Sequence, residues 1–313
     1  METVADIAVP TTKKQYTRRQ MKLKRNDALW AYGMIAPLMI GLLIFYIWPV
    51  FQTMYFSFTK WGFFGRYSWD GLANYQQMFS DPELGQALWN TFIYTVLSVA
   101  GGVCLSLFVA VLLNQKIRGV GVYRTLYFLP VVTMPAAIAV IWKWLYNGDY
   151  GLINYFLSLF HIQGPRWLSD PHTALYAIIL VSIWGAVGNN MVLFLAGLQG
   201  IPSTYLEAAA IDGAGPVKKF FHVSLPLLSP TIFFVTVTSL ISAFQIFDQI
   251  YLMIGQHSPA QNAAQTVVYV FYNHAFILGD KGYASAIAVL LFAIILLVTV
   301  VQLRLQKRWV HYN

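Results

Sequence analysis

Residues 205–230 read YLEAAAIDGAGPVKKFFHVSLPLLSP and lie between two long apolar runs. Glu207, Ala208, Ala209 and Ala210 form a strong helix-forming stretch. Gly213 and Gly215, followed by Pro216, stop that helix, and a second short helix can begin at Pro216, where proline suits a first turn. The segment is therefore expected to form a helix–turn–helix with a small-residue face that another protein's surface can approach closely. Leu225-Pro226 and Pro230 then redirect the chain. Two readings stand side by side: an ordinary link between apolar runs, or a docking element. Ordinary links run to about 4–6 residues, and loops held on rigid scaffolds often carry function.

The surrounding composition fixes the solvent. The chain has 313 residues, of which 58% are hydrophobic and 10% charged. A soluble domain carries about 25% charged residues, so two soluble domains of this length would lack the polar side chains to cover themselves. A multi-pass membrane protein needs far fewer, and the 10 Trp and 19 Tyr suit two membrane–water interfaces. Charge-free runs mark six expected spans: Ala28–Thr59, Leu84–Gln115, Thr125–Trp142, Thr173–Leu206, Val223–Phe247 and Gly282–Leu303. Each reaches or approaches the roughly 20 residues that a helix needs to cross the hydrocarbon core. Pro37, Pro49, Pro130 and Pro135 predict kinks in the first and third. The expected fold is an all-α integral membrane protein with six transmembrane helices and both termini cytoplasmic. It divides into a basic tail over residues 1–27 and a membrane domain over 28–313, with a cytoplasmic loop at 203–226.

Charge supports that orientation. Lys13, Lys14, Arg18, Arg19, Lys22, Lys24 and Arg25 precede the first run, and Lys116, Arg118, Arg124, Lys218, Lys219, Arg304, Lys307 and Arg308 fall on the same side. Only Lys60, Arg66, Lys143, Arg166 and Lys281 fall on the other. This asymmetry is the positive-inside pattern. The basic tail is read as this topology signal, although such a tail also suits nucleic acid or anionic lipid. Ala263–Leu278, at 16 residues with Asn273 and His274 inside, is expected to lie on the outer surface as an amphipathic helix rather than to cross. Leu152–Phe160 reads the same way.

Thr238, Ser242, Gln245 and Gln249, with Ser239 beside them, recur at helical spacing in the fifth run, next to Phe244 and Phe247. Such a stripe serves either as interhelical hydrogen bonding or as a lining for a hydroxyl-rich cargo. Taking the fifth span a little beyond Phe247, Asp248 is the one carboxylate in an expected span, at its outer end, and should face water or a partner. The six histidines show no i, i+4 pair and no H-E-x-x-H, there is no G-x-S-x-G, and no G-x-x-x-x-G-K-[ST] phosphate loop is present. No catalytic or metal site is expected, and any ATP must be bound by another chain. Cys104 is the single cysteine, so no intrachain disulfide can form.

Glu207-Ala208-Ala209, Gly213, Val223 and Leu225-Pro226 resemble the cytoplasmic signature of bacterial ABC-importer membrane subunits, written EAA, three residues, G, nine residues, I-x-LP. Val223 in place of Ile is the one departure. The flanking LAGLQGIPSTYLEAAAIDGAGPVKKFFHVSLPLLSP is similar to the carbohydrate-uptake branch, and PVFQTMYFSFTKW with GLANYQQMFSDPELGQALWNTFIYT is similar to its maltose-type first permease. The resemblance implies that Glu207, Ala208, Ala209, Asp212, Gly213, Ala214 and Gly215 couple to a separate ATPase dimer, which holds ATP and Mg. It implies a second permease, an extracytoplasmic solute-binding protein, membrane lipid and a carbohydrate as partners, and no nucleic acid, in the bacterial cytoplasmic membrane. By the same resemblance the substrate face maps onto Ser239, Ser242, Ala243 and Ile246, with Asn189 beside Asn190 on the preceding span. Polar groups at several matched positions differ from the family pattern. Gln245 and Asp248 complete the expected pathway set. An autonomous secondary transporter is the competing reading; it calls for paired intramembrane ionisable residues, of which only Asp248 is present.

Overall fold

The computed structural model describes residues 18–62, 65–115, 118–255 and 258–309. Lys13, Lys14, Lys116, His257 and His311 of the patterns above lie outside them. By internal contacts the chain forms two units, Met1–Gln52 and Thr53–Asn313.

Helix α1 (Arg18–Leu42) passes through a π-helical turn, Leu43–Ile47, into α2 (Trp48–Phe56), which belongs to the first unit up to Gln52. Helix thus begins at Arg18, inside the stretch read as a tail. Pro37 lies within α1, and Trp30–Phe56 continues as a single 27-residue apolar helix. The irregularity falls between the two prolines, at the π turn, where one extra residue widens the helix.

In the second unit the end of α2 is followed by a two-stranded antiparallel ribbon, β1 (Thr59–Trp61) and β2 (Tyr67–Trp69), with Lys60 opposite Ser68. In α3 (Ala73–Ser80), Asn74 Nδ2 donates to the carbonyls of Ser57 and Thr59, each at 2.9 Å, and so ties the helix to the ribbon. Asp81 caps α4 (Pro82–Leu113): its Oδ1 accepts from the amide of Glu83 at 2.8 Å. Then follow α5 (Val120–Val132), α6 (Pro135–Leu145), α7 (Leu152–Ser158), α8 (Ala174–Gln199), α9 (Ser203–Ile211) and α10 (Pro216–Lys219). A π-helical turn, Phe220–Ser224, leads to α11 (Leu225–Leu227) and α12 (Ser229–Phe244). The chain ends with α13 (Asp248–Met253), α14 (Gln261–Ala264), α15 (Val267–Tyr272) and α16 (Lys281–Trp309).

Four helices among the described residues are long and apolar enough to cross a membrane: Trp30–Phe56, Pro82–Leu113, Ala174–Gln199 and Lys281–Lys307. Six crossings require each of two bent pairs to count as one. The pair α5 and α6 bends by 102°, far more than a kink, because Pro135 holds Met134 in extended backbone at ψ 134°. Pro216–Leu227 and Ser229–Phe244 bend by 66° at Leu228. The fourth expected span is too long in the sequence reading. It ends at Gln199, and Pro202, extended at ψ 133°, separates it from α9.

Helix α8 packs on α4, α5 and α12. Val109, Ala110 and Leu113 of α4 meet Val187, Met191, Phe194 and Leu195 of α8, with Leu228 and Val235 alongside. Glycines set the spacing. A Cβ at Gly188 would land on the carbonyl oxygen of Tyr127 in α5 and lie 2.8 Å from Val131 Cγ2. Lipid offers no hydrophobic drive for helix association, so close backbone approach through small residues carries much of it. Trp89, Phe92, Val96 and Phe108 of α4 stay exposed on the other face, as lipid contact permits.

Residues 263–278 are two-faced. Val267 and Val270 are fully buried among Leu84, Ala87, Tyr283, Ala286 and Ile287, so the first half of the segment packs against α4 and α16, whereas Phe276, Ile277 and Leu278 are exposed. Polar side chains of α4 hold it there. Asn90 Nδ2 donates to the carbonyl of Gln265 at 3.0 Å, and the amide of Val267 donates to Thr91 Oγ1 at 3.0 Å. These side chains satisfy backbone groups that would otherwise be buried unpaired.

Replacing Gly188 with Ala should destabilise the purified protein by about 1–3 kcal/mol, because a backbone carbonyl must yield. Gly101→Ala meets chiefly Ile183 Cδ1, the free end of a flexible side chain, and should cost less than half as much. Thermal unfolding in detergent reads both, and equal losses would contradict the close approach of α8 to α5.

Candidate functional site

Helix α9 carries Glu207, Ala208, Ala209 and Ala210 and ends in a left-handed cap. Gly213 has φ 76°, its amide donates to the Ala210 carbonyl at 3.0 Å, and the Ala214 amide donates to the Ala209 carbonyl at 2.9 Å. This paired geometry is a Schellman motif, which satisfies the last free carbonyls of the helix and needs a residue tolerant of positive φ. Gly215 then runs extended, and Pro216 opens α10, whose last turn holds Lys218 and Lys219. The result is a tight knuckle after the C-terminal end of α8. Glu207, Ala208, Asp212, Gly213 and Gly215 are exposed, and Ala209 and Ala214 half-buried. Ile211 at 87% and Val217 at 71% exposure stand out beside them. Bulky apolar side chains presented from so short an element suit a protein contact.

Midway along α8 a cavity of about 480 Å³ opens between α4, the α5–α6 break, α8, α12 and α13. Of the expected pathway residues it gathers Asn189, Asn190, Ser239, Ser242, Ala243 and Ile246. Asn190 Nδ2 donates to Ser239 Oγ at 3.5 Å, which joins α8 to α12. Gln245 and Asp248 are not among the lining residues, and both are exposed. The reason is backbone. Helix α12 stops at Phe244, residues 245–247 are not helical, and Asp248 restarts the chain as the first residue of α13. The helical stripe therefore fails at Gln245, while Thr238, Ser242 and Gln249 do reach the cavity. Phe247, next to the stripe in sequence, is not among the cavity's lining residues; it stacks with Tyr251 at a centroid distance of 5.2 Å and lies 4.9 Å from Tyr272.

The sequence reading missed Tyr94, Ser98, Thr133 and Ser182, which also line the cavity. A signal exists for the first two: Asn90, Tyr94, Ser98, Gly102 and Ser106 recur every four residues along α4 and mark one polar or small face. Tyr94 Oη donates to Ser182 Oγ at 2.8 Å. Ser182 in turn meets the Ile178 carbonyl at 2.9 Å and the Gln249 side-chain amide at Oε1. One hydroxyl proton cannot serve two acceptors. Turning the Gln249 amide over, an exchange of O and N in nearly the same positions, completes the count. Ser182 then donates to Ile178 and accepts from Tyr94 and Gln249, leaving the Gln249 carbonyl oxygen free to accept. Among the described residues, no group of three or more His, Cys, Asp or Glu side chains is placed to hold a metal ion.

Residues 102–311 match the family described as binding-protein-dependent transport system inner membrane component. The chain is 39% identical over 293 residues to the probable ABC transporter permease protein YesP of Bacillus subtilis, covering 92% of this chain and 94% of that one. It is 36% identical over 287 residues to the sn-glycerol-3-phosphate transport system permease protein UgpA of Pectobacterium atrosepticum, covering 90% and 95%. Among solved structures, a bacterial ABC transporter that imports the acidic polysaccharide alginate matches with a TM-score of 0.82 at 21% identity, over 93% of this chain and 99% of that one. The methionine transporter MetNI in an inward-facing form matches with a TM-score of 0.53 at 17% identity, over 75% and 99%. The autonomous carrier is thereby set aside: this chain belongs to the family of binding-protein-dependent transport system inner membrane components, as a permease of an ABC importer.

Proposed function

We propose that this permease forms one half of a translocation path for a carbohydrate, with the cavity beside Asn189, Asn190, Ser239 and Ser242 as its substrate-contacting part. The observation that carries the reading is the convergence of amide and hydroxyl side chains from α4, α8, α12 and α13 on one cavity. Sugar hydroxyls both donate and accept, and so do Ser, Thr, Tyr, Asn and Gln. The relatives' names give this reading its support, with sn-glycerol-3-phosphate and alginate as the solutes of the proteins so named.

The knuckle over residues 203–226 is the proposed grip for a separate ATPase dimer, which would bind ATP and Mg; a second permease and an extracytoplasmic binding protein would complete the assembly. A solved alginate transporter is in complex with an alginate pentasaccharide-bound periplasmic protein, which supports a binding protein of that kind here. A conformational drive needs a contact that differs between two states, and a short rigid protrusion with exposed Ile211 and Val217 can supply one. In this reading residues 1–27 and the knuckle lie in the cytoplasm.

Gly213→Val should abolish uptake in cells while leaving membrane insertion intact. Nothing lies within 4 Å of the position, so the effect comes from forcing a β-branched residue to positive φ, at about 1–2 kcal/mol, and reshaping the cap. Normal uptake with normal ATPase coupling would remove the docking role. Asn189→Ala and Ser242→Ala should each change the ratio of uptake rates among sugars without loosening ATPase association in pull-down. An unchanged ratio would place the substrate contact elsewhere.

A further inference from the structure

The lining of the central cavity carries hydroxyl, amide and apolar groups, and none of its described residues is Lys, Arg, His, Asp or Glu. The charges near that end of α8 are elsewhere. Lys143 and Arg166 line a separate recess of about 380 Å³ together with Asp149, and Arg166 is already 4.0 Å from the Asp149 carboxylate. Asp248 is exposed and outside the lining.

This matters for cargo because a membrane-embedded cavity strips water from what enters it. An ionised phosphate or carboxylate without a paired cation loses several kcal/mol on such a transfer, whereas hydroxyls are compensated by neutral hydrogen-bonding groups. The polar set is also balanced for hydroxyls. Asn189, Asn190, Ser239 and Ser242 can each donate and accept, Thr238, whose hydroxyl proton goes to the carbonyls of Phe234 and Val235, can accept, and Gln249, once its amide serves Ser182, offers an acceptor. The relative named for sn-glycerol-3-phosphate and the solved alginate transporter are named for anionic solutes; the lining here is suited to something else.

We propose that this permease selects a neutral, polyhydroxylated cargo over phosphorylated or uronate-bearing counterparts, through the uncharged cavity it contributes. The proposal rests on the carbohydrate reading above and narrows it. Selection acts through desolvation: a neutral sugar exchanges water for side-chain partners, and an anion finds no cation among the described lining residues to replace its hydration.

The test uses the full importer in proteoliposomes with its binding protein and ATP. Neutral di- to tetrasaccharides are compared with their uronate-bearing and phosphorylated counterparts. The neutral members should enter at least about tenfold faster, since each 1.4 kcal/mol of unrecovered hydration is a factor of ten. A binding protein could impose that preference by itself, so a second arm alters the cavity. Ser242→Asn and Ser242→Asp introduce side chains of nearly equal shape that differ in charge. With neutral cargo both should slow uptake, to rates within about threefold of each other, because no like-charge repulsion operates. Faster entry of the anionic members overturns the proposal, as does an Asp variant at least about tenfold slower than the Asn variant for the cargo carried. An assembled, ATP-hydrolysing complex that moves no carbohydrate of either kind overturns the carbohydrate reading itself, an outcome distinct from the other two.

Discussion

Backbone-to-backbone contact at α8 sets the geometry on which the cavity depends. Gly188 lets α5 come so near that the Tyr127 carbonyl occupies the space of a side chain, and Gly197 makes room for the side chains of Leu228, at the bend, and Thr231 of α12. Gly102 of α4 faces Ala186, where an added Cβ would sit 3.5 Å from the alanine methyl, an ordinary contact. Two neighbours are thus held against α8 through its own glycines. In lipid this is an effective way to bind helices, because van der Waals contact replaces the hydrophobic drive available in water. The same glycines alternate with the functional positions. Gly188 and Asn189 are consecutive, so the residue that brings α5 close also fixes the direction in which the amide beside it leaves the helix.

Holding helices tightly leaves the broken ones to supply polar surface. The α5–α6 break places Pro130, Val131, Thr133 and Pro135 along the cavity, and the end of α12 lets Gln249 return to it from α13. Irregular backbone at membrane depth is tolerated where it is buried in protein or lines a water-filled space. Both breaks meet that condition. The Tyr94–Ser182–Gln249 chain then links α4, α8 and α13 by side-chain hydrogen bonds. Each such bond contributes about 1 kcal/mol net, and its loss inside the cavity would cost more, because the abandoned partner would stay desolvated.

Much of this was legible in the sequence, and the failures have physical causes. The helix–turn–helix at residues 203–226 could be read residue by residue, because alanine propensity, the left-handed glycine and the N1 proline act locally. Asn189, Asn190, Ser239 and Ser242 were placed from the family resemblance, and the fold brings them to one cavity. Gln245 and Asp248 lie outside this cavity because period-based reasoning assumes an unbroken helix, whereas α12 ends at Phe244 without a proline or glycine there to announce it. Tyr94 and Ser182 escaped for a different reason. Both lie on long helices with little amphipathic contrast; the four-residue recurrence along α4 marks Tyr94 as part of a polar face, but its pairing with Ser182 across 88 positions of sequence is visible in neither helix alone. The burial of Val267, Tyr269 and Val270 was equally invisible, since an apolar segment looks alike whether lipid or protein covers it.

The knuckle and the cavity are joined by a continuous piece of chain. Pro216–Leu227 runs from the knuckle to a 66° bend, and α12 carries Ser239 and Ser242 from there into the cavity. Leu228, at the bend, is 1% exposed and sits in the same cluster as Phe194, Leu195 and Leu198 of α8. A hinge embedded in a close-packed cluster does not bend gradually, because small displacements meet steep repulsion and larger ones require repacking. In the proposed importer, a load applied at Gly213 would therefore move α12 against α8 as a body. The interface that has to slip is the one bearing Asn190 and Ser239, whose 3.5 Å hydrogen bond is the longest of the side-chain links around the cavity. A weak polar contact between two tightly packed helices is where such a motion costs least, and it lies at the point where cargo would be held or released.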